Sequence, residues 1–180
     1  MFKRVENNIN LAQVENEISN YWDEIDAFQT SLNNRKNDKI FRFYDGPPFP
    51  TGSPHYGNLL AGVIKDIVPR YWTMRGYYVE RRFGWDVHGL PIEMEVQKNL
   101  NLEDPQQIDE YGIGKFNEAC RTQVQTNTEN WEKITRKIGR WVDFENDYKT
   151  MDIDFMESVW WVFKELWEKD LIYQDYKVLP

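Results

Sequence analysis

"FRFYDGPPFPTGSPHYGNLLAGVIKDIVPRYWTM", residues 41–74, runs from an aromatic stretch through a loop crowded with proline and glycine into a helical pattern. Ile40–Tyr44 is short, apolar and bounded by turn residues, which predicts a buried strand. Leu59–Met74 carries apolar residues at helical spacing and predicts a helix, with Pro69 near its end. "YYVERRF", Tyr77–Phe83, predicts a second strand. Strand, loop, helix, strand is a βαβ unit, whose strands should lie parallel with a right-handed crossover. The expected fold is therefore α/β, and its ligands should gather at the carboxyl ends of the strands.

The loop Asp45–Asn58 sits at that position. Clustered Pro and Gly by themselves mark only a surface loop. A loop between a strand and a helix amino-terminus is more specific, because unpaired amides and the helix dipole favour phosphate there. Prolines 47, 48, 50 and 54 restrict how far this loop can move. Gly57 lets a ligand approach the backbone with no Cβ in the way. His55 and Asn58, three residues apart, can both aim donors at an α-phosphate. Fixed donors of that kind suit phosphoryl chemistry, where charge grows on non-bridging oxygens in the transition state.

The bulk properties bound the class. A chain of 180 residues is about one domain long and can bury a core. Its 41% hydrophobic and 16% aromatic content excludes a disordered chain. Met1–Asn10 has no apolar centre and reads as no secretory signal, and no apolar run approaches the roughly 18 residues of a membrane span. One cysteine, Cys120, excludes an internal disulfide and a Cys-rich zinc site, so the expected compartment is cytoplasmic. A net charge of −8 weighs against a dominant nucleic-acid-binding face.

Outward from the loop, Val14, Ile18, Trp22 and Ile25 predict a helix over Leu11–Phe28, followed by a polar stretch, Asn33–Lys39. The last third reads as helical. Phe116, Trp131, Ile134, Ile138 and Trp141 form one apolar face, weakened at its end by Gly139. "DFMESVWWVFKELWEKD", residues 154–170, predicts another helix, with Asp154 and Glu157 spaced as a capping box and Phe155, Val159, Phe163, Leu166 and Trp167 on one side. "LIYQDYKVLP", residues 171–180, begins like a strand. Trp160 and Trp161 read as core and interdomain packing, and Arg81 and Arg82 as a solvated strand end. "EKITRK", residues 132–137, reads as a solvated helix face, and Cys120 as a packed thiol.

"FYDGPPFPTGSPHYGN" (43–58) and "GWDVHGLPIE" (84–93) together resemble the class I aminoacyl-tRNA synthetases, in their isoleucine-activating branch. "PHYGN" is similar to that family's first ATP-binding motif. Leucyl enzymes usually show an Ala-Phe pair before Gly-Leu-Pro, and valyl enzymes an Asp-His-Ala-Gly run. "RWVDFENDYKTMD" (140–152) and "FMESVWWVFKELWEKDLIY" (155–173) also read like the family, so the resemblance covers nearly the whole chain.

The resemblance implies the first half of a Rossmann-like nucleotide-binding fold over 39–180, after an amino-terminal helical extension, 1–38, and ending before an editing insertion. It implies an ATP-dependent ligase that joins isoleucine to ATP as isoleucyl-adenylate and transfers it to tRNA(Ile). ATP would arrive with Mg2+ as a substrate complex, and no zinc site is expected within the segment. His55 and Asn58 would be the catalytic pair on the phosphates, with Pro48 and Gly57 beside the nucleotide. Pro47 would wall the isoleucine pocket, and Asp86 would hold the α-ammonium. A carboxylate suits that partner because a charge-assisted hydrogen bond is the strong kind. His88 and Trp85 are further candidates.

The family usually has His where Asn58 stands. The Asn amide still donates, without a positive charge. The family's lysine-rich Lys-Met-Ser-Lys-Ser motif does not occur in the chain, so most tRNA contacts and the chemistry of pyrophosphate release are expected elsewhere, and the segment alone is expected to be nearly inactive. Two other readings remain open at this point: a small standalone nucleotidyltransferase of the His-x-Gly-His type, and a non-catalytic binding module derived from a synthetase.

Overall fold

A computed structural model describes residues 8–177. Asn10 opens helix α1 (Leu11–Glu24), its side chain accepting from the Gln13 N–H at 3.3 Å. The predicted helix Leu11–Phe28 is in fact two helices. Asp26 takes a left-handed conformation (φ 44°), and α2 (Ala27–Asn33) starts beyond it. Asp tolerates that region better than most residues, so a break there is not visible in an apolar periodicity.

Strand β1 (Lys39–Ile40) pairs in parallel with β2 (Tyr77–Tyr78), and α3 (Tyr56–Met74) connects them. The predicted βαβ order and parallel pairing are therefore present. The ladder is shorter than expected: after Phe41, whose N–H donates to the Tyr78 carbonyl at 2.9 Å, the chain turns away into the proline-rich loop. Phe41 stacks on Trp72 (centroids 4.7 Å apart), and Trp72 meets Tyr77 edge-on at 4.8 Å, so α3 is fastened to the ladder by rings.

The second predicted strand, Tyr77–Phe83, divides between two sheets. Its end belongs to β3 (Arg82–Trp85), which pairs in parallel with β4 (Asp143–Lys149). The register runs Arg82↔Asp143, then Gly84↔Tyr148, so three extra residues bulge from β4. Asp143 closes the bulge, accepting from the N–H groups of Glu145 and Asn146 at 2.9 and 3.0 Å. Arg81, just before β3, is buried at 2% exposure, which corrects its reading as a solvated strand end; Arg82 is exposed.

Between β3 and β4 come α4 (Leu90–Asn99), α5 (Pro105–Tyr111) and α6 (Ile113–Lys137). Glu95 of α4 accepts from Gln123 and Asn127 of α6 at 3.1 and 3.0 Å, which ties these two helices together. The core forms where α4 and α6 cover the β3–β4 ladder: Phe83, Trp85, Val87, Ile92, Val124, Trp131, Val142 and Phe144. The long helical face in the last third thus exists but stops at Lys137, and a strand follows it.

Helix α7 (Ile153–Glu168) starts one residue before the predicted capping box. The box does not form: Asp152 is the N-cap residue, and its carboxylate accepts from the Lys149 N–H at 2.9 Å. The predicted apolar side of α7 is present as a pattern but is not covered. Trp160 and Trp161 are 68% and 61% exposed, which corrects their reading as core. Residues 171–177 are outside any ladder, and 178–180, like 1–7, lie outside the described residues. Among the described residues no helix is long and apolar enough to cross a membrane.

Candidate functional site

The capping box of this chain lies at the amino-terminus of α3. His55 is the N-cap; its Nδ1 accepts from the Gly57 N–H at 3.1 Å, and Asn58 Oδ1 accepts from the His55 N–H at 3.0 Å. An imidazole that accepts at Nδ1 and is neutral carries its hydrogen on Nε2. The ring is exposed, so that Nε2–H is presented outward. Asn58 spends its oxygen on His55 and keeps its amide N–H groups free to donate.

Gly57 has a reason within the chain itself. A Cβ there would sit 3.0 Å from His55 Cε1 and 3.1 Å from Nδ1, so a side chain would crowd the ring where it folds back on the helix start. The open helix amides expected from sequence are thus partly used: the Gly57 and Asn58 N–H groups are bonded to His55. Beside the helix start, two side-chain donors are left for a ligand, His55 Nε2 and Asn58 Nδ2.

The loop is pinned from three elements. Lys65 of α3 donates to the Gly46 carbonyl at 2.7 Å, Trp131 of α6 to Gly52 at 2.8 Å, and the Asp86 N–H to Pro48 at 2.9 Å. Asp45, at the loop's start, has a side chain only 3% exposed and pairs with Lys65 at 2.6 Å and with Arg140. Two cations on one buried carboxylate leave an excess positive charge beside the loop. A cavity of about 210 Å³ is lined by Gly46, Pro47, Pro48, Asn58, Lys65 and Arg140. Lys65 and Arg140 were not singled out from sequence, because one sits mid-helix and the other after α6, with no motif to mark either.

The Pro48–Asp86 hydrogen bond joins the loop to the end of β3, so Pro47, Pro48 and Asp86 are brought together. Asp86 is half-buried and His88 exposed. Between them stands Thr150, 6% exposed, which sequence did not single out. Its hydroxyl lies 3.0 Å from the Val87 N, 2.7 Å from His88 Nδ1 and 3.4 Å from Asp86 Oδ1. Trp85 points the other way: it is 1% exposed in the core, and its Nε1 donates to Asp147 at 2.7 Å. Gly84 lies under the ring of Tyr148, which leaves no room for a Cβ. Burial, helped by Asp45, pushes the Tyr148 phenol above its ordinary 10. Among the described residues no group of three or more His, Cys, Asp or Glu converges as a metal site.

Residues 17–180 match the family of tRNA synthetases class I (I, L, M and V). The chain belongs to this family. The synthetase chain is 55% identical over 166 residues to the cytoplasmic isoleucine--tRNA ligase of Arabidopsis thaliana, covering 92% of this chain and 14% of that protein. It is 52% identical to the isoleucine--tRNA ligase of Bdellovibrio bacteriovorus, over 99% of this chain and 17% of that protein. With the isoleucine--tRNA ligase of Treponema denticola it shares 51% identity, over 100% of this chain and 16% of that protein. The synthetase chain thus spans 14–17% of the length of these relatives. The crystal structure of the ternary complex of Agrobacterium radiobacter K84 agnB2 LeuRS–tRNA–LeuAMS superposes with a TM-score of 0.64 at 21% identity, covering 89% of this chain and 18% of that one. The short parallel ladders and their helices are accordingly a Rossmann-like α/β arrangement.

Proposed function

We propose that this chain supplies the first ATP-binding loop and part of the amino-acid pocket of an isoleucine--tRNA ligase. The protein would activate isoleucine with ATP to isoleucyl-adenylate and pass the isoleucyl group to tRNA(Ile). Residues 39–180 are read as the first half of the catalytic domain and 1–38 as its helical extension. The observation that carries this reading is 51–55% identity to isoleucine--tRNA ligases across 92–100% of the chain.

The geometry supports a division of labour. His55 Nε2–H and Asn58 Nδ2–H would meet the α-phosphate as the isoleucine carboxylate attacks it in line and pyrophosphate leaves. These donors would act on charge that grows in the transition state. Gly57, Pro48 and the excess positive charge from Lys65 and Arg140 would lie along the nucleotide, which arrives with its own Mg2+. Pro47 would bound the isoleucine side chain, and the Asp86 carboxylate would take the α-ammonium, with His88 beside it. A cytoplasmic setting would match that of the Arabidopsis thaliana relative, which is named a cytoplasmic enzyme.

Pyrophosphate exchange in the full-length protein tests the reading. Exchange should depend on isoleucine and ATP together, and leucine should support it far less. Exchange that ignores the amino acid supplied, or none at all, would remove the assignment.

A further inference from the structure

We infer that Thr150 is a positioning residue of the isoleucine site proposed above: its hydroxyl hydrogen is directed to Nδ1 of His88, which fixes that ring as the Nε2–H tautomer and leaves the Asp86 carboxylate open to an ammonium group. The inference rests on that reading of Asp86.

Thr150 follows directly on β4 and is locked in place, its N–H donating to the Trp85 carbonyl at 3.0 Å. A hydroxyl has one hydrogen to give and two lone pairs to receive with. The Val87 N–H donates into one lone pair at 3.0 Å, which leaves one hydrogen to give and one lone pair to receive with. His88 Nδ1 stands at 2.7 Å and Asp86 Oδ1 at 3.4 Å. Hydrogen bonds from a hydroxyl are strong near 2.7–2.8 Å and weak beyond about 3.0 Å. An Nδ1–H of His88 could enter the second lone pair, but 2.7 Å is the usual length of a bond given by a hydroxyl and short for one given by an N–H, which is usually about 2.9–3.0 Å. On that ground the hydrogen is assigned to His88.

Two consequences follow. His88, accepting at Nδ1, carries its own hydrogen on Nε2 and offers it on the exposed side of the ring. Asp86 stays half-buried with its negative charge undiminished by a hydroxyl donor. One buried threonine thus prepares an acceptor and a donor side by side, the pairing a zwitterionic amino acid requires. The opposite arrangement, His88 donating from Nδ1 and Thr150 donating to Asp86, would partly satisfy the carboxylate before any ligand arrived.

The chain makes this measurable, because it contains only two histidines. The long-range ¹H–¹⁵N imidazole spectrum of the whole chain, recorded where both rings are neutral, reports each tautomer without any ligand. The inference expects His88 as a single Nε2–H tautomer. Thr150→Val should give a mixture of tautomers, and Thr150→Ser should restore the single form. An Nδ1–H ring in the wild type overturns the inference even if the Val variant fails to fold, as does a tautomer unmoved in a folded Val variant. In the full-length protein, Thr150→Val should weaken isoleucine about tenfold, the upper worth of one neutral hydrogen bond, with ATP unchanged and Ser near wild type. Unchanged isoleucine affinity would overturn the positioning role. Failure of the wild type to bind isoleucine, with the tautomer as expected, would instead remove the site reading alone.

Discussion

At His55 two demands meet on one ring. Nδ1 caps α3 through the Gly57 N–H, and Nε2 faces outward with a hydrogen to donate. Substitution separates these roles. His55→Ala removes both, and should cost about 1 kcal/mol of stability for the lost cap as well as about 10²–10³ in exchange rate for the lost donor. His55→Asn keeps a cap acceptor and should recover the stability, as read by urea unfolding, while the exchange rate stays low. Recovery of both together would make His55 a cap and nothing more. The pairing of His55 with Asn58 was legible from their spacing; the capping was not, because histidine is an uncommon N-cap and a ring folded onto a glycine leaves no periodic trace. Thr150 and Asp45 were equally silent. Their roles depend on contacts 62–64 and 95 residues distant, to His88 and Asp86 and to Arg140.

Among the elements, the segment before β3 carries a cost that sequence concealed. Arg81 is buried, with its Nε and Nη1 lacking partners, and burial pushes its guanidinium down to about 10. Asp66, whose negative charge opposes that shift, is already held by Arg70 at 2.5 Å. Among the described residues, the one side-chain hydrogen bond of Arg81 runs from Nη2 to the Thr73 hydroxyl at 2.5 Å, and that hydroxyl still donates to the Pro69 carbonyl without it. Arg81→Met should therefore leave stability unchanged or raise it, by up to about 3 kcal/mol. A fall of similar size in chemical denaturation would mean that Arg81 has a binding role within the core. Tyr148 of β4 predicts a pH effect of definite sign. Its phenol titrates higher folded than unfolded, so it contributes stability that is intact below pH 10 and lost as pH rises through the folded value. Tyr148→Phe should flatten the alkaline fall in stability relative to wild type; an identical slope would contradict the burial of this phenol. Strand β4 itself was missed in the sequence. "DFENDYK" is polar at most positions, and its bulge breaks the alternation by which a strand is read.

For the molecule as a whole, what sequence conveyed well was order: aromatic run, loop, helix, strand, and the two loops that carry the candidate residues. It did not convey how strands would be shared. The run 77–83 looked like one strand and serves two ladders, because strand pairing is settled by residues far along the chain. Nor could apolar spacing on α7 tell a covered face from an uncovered one; the tryptophans there are exposed. The central claim is that the loop at Pro48 and the end of β3 at Asp86, joined by one backbone hydrogen bond, form one site in which Asp86 receives the amino acid. The most direct measurement is the pair of KM values of the full-length protein carrying Asp86→Asn, which keeps shape and removes charge. Loss of a charge-assisted hydrogen bond is worth about 1.5–3 kcal/mol, so the KM for isoleucine should rise roughly ten- to a hundredfold while that for ATP hardly moves. Equal weakening of both substrates, or of neither, would contradict the account.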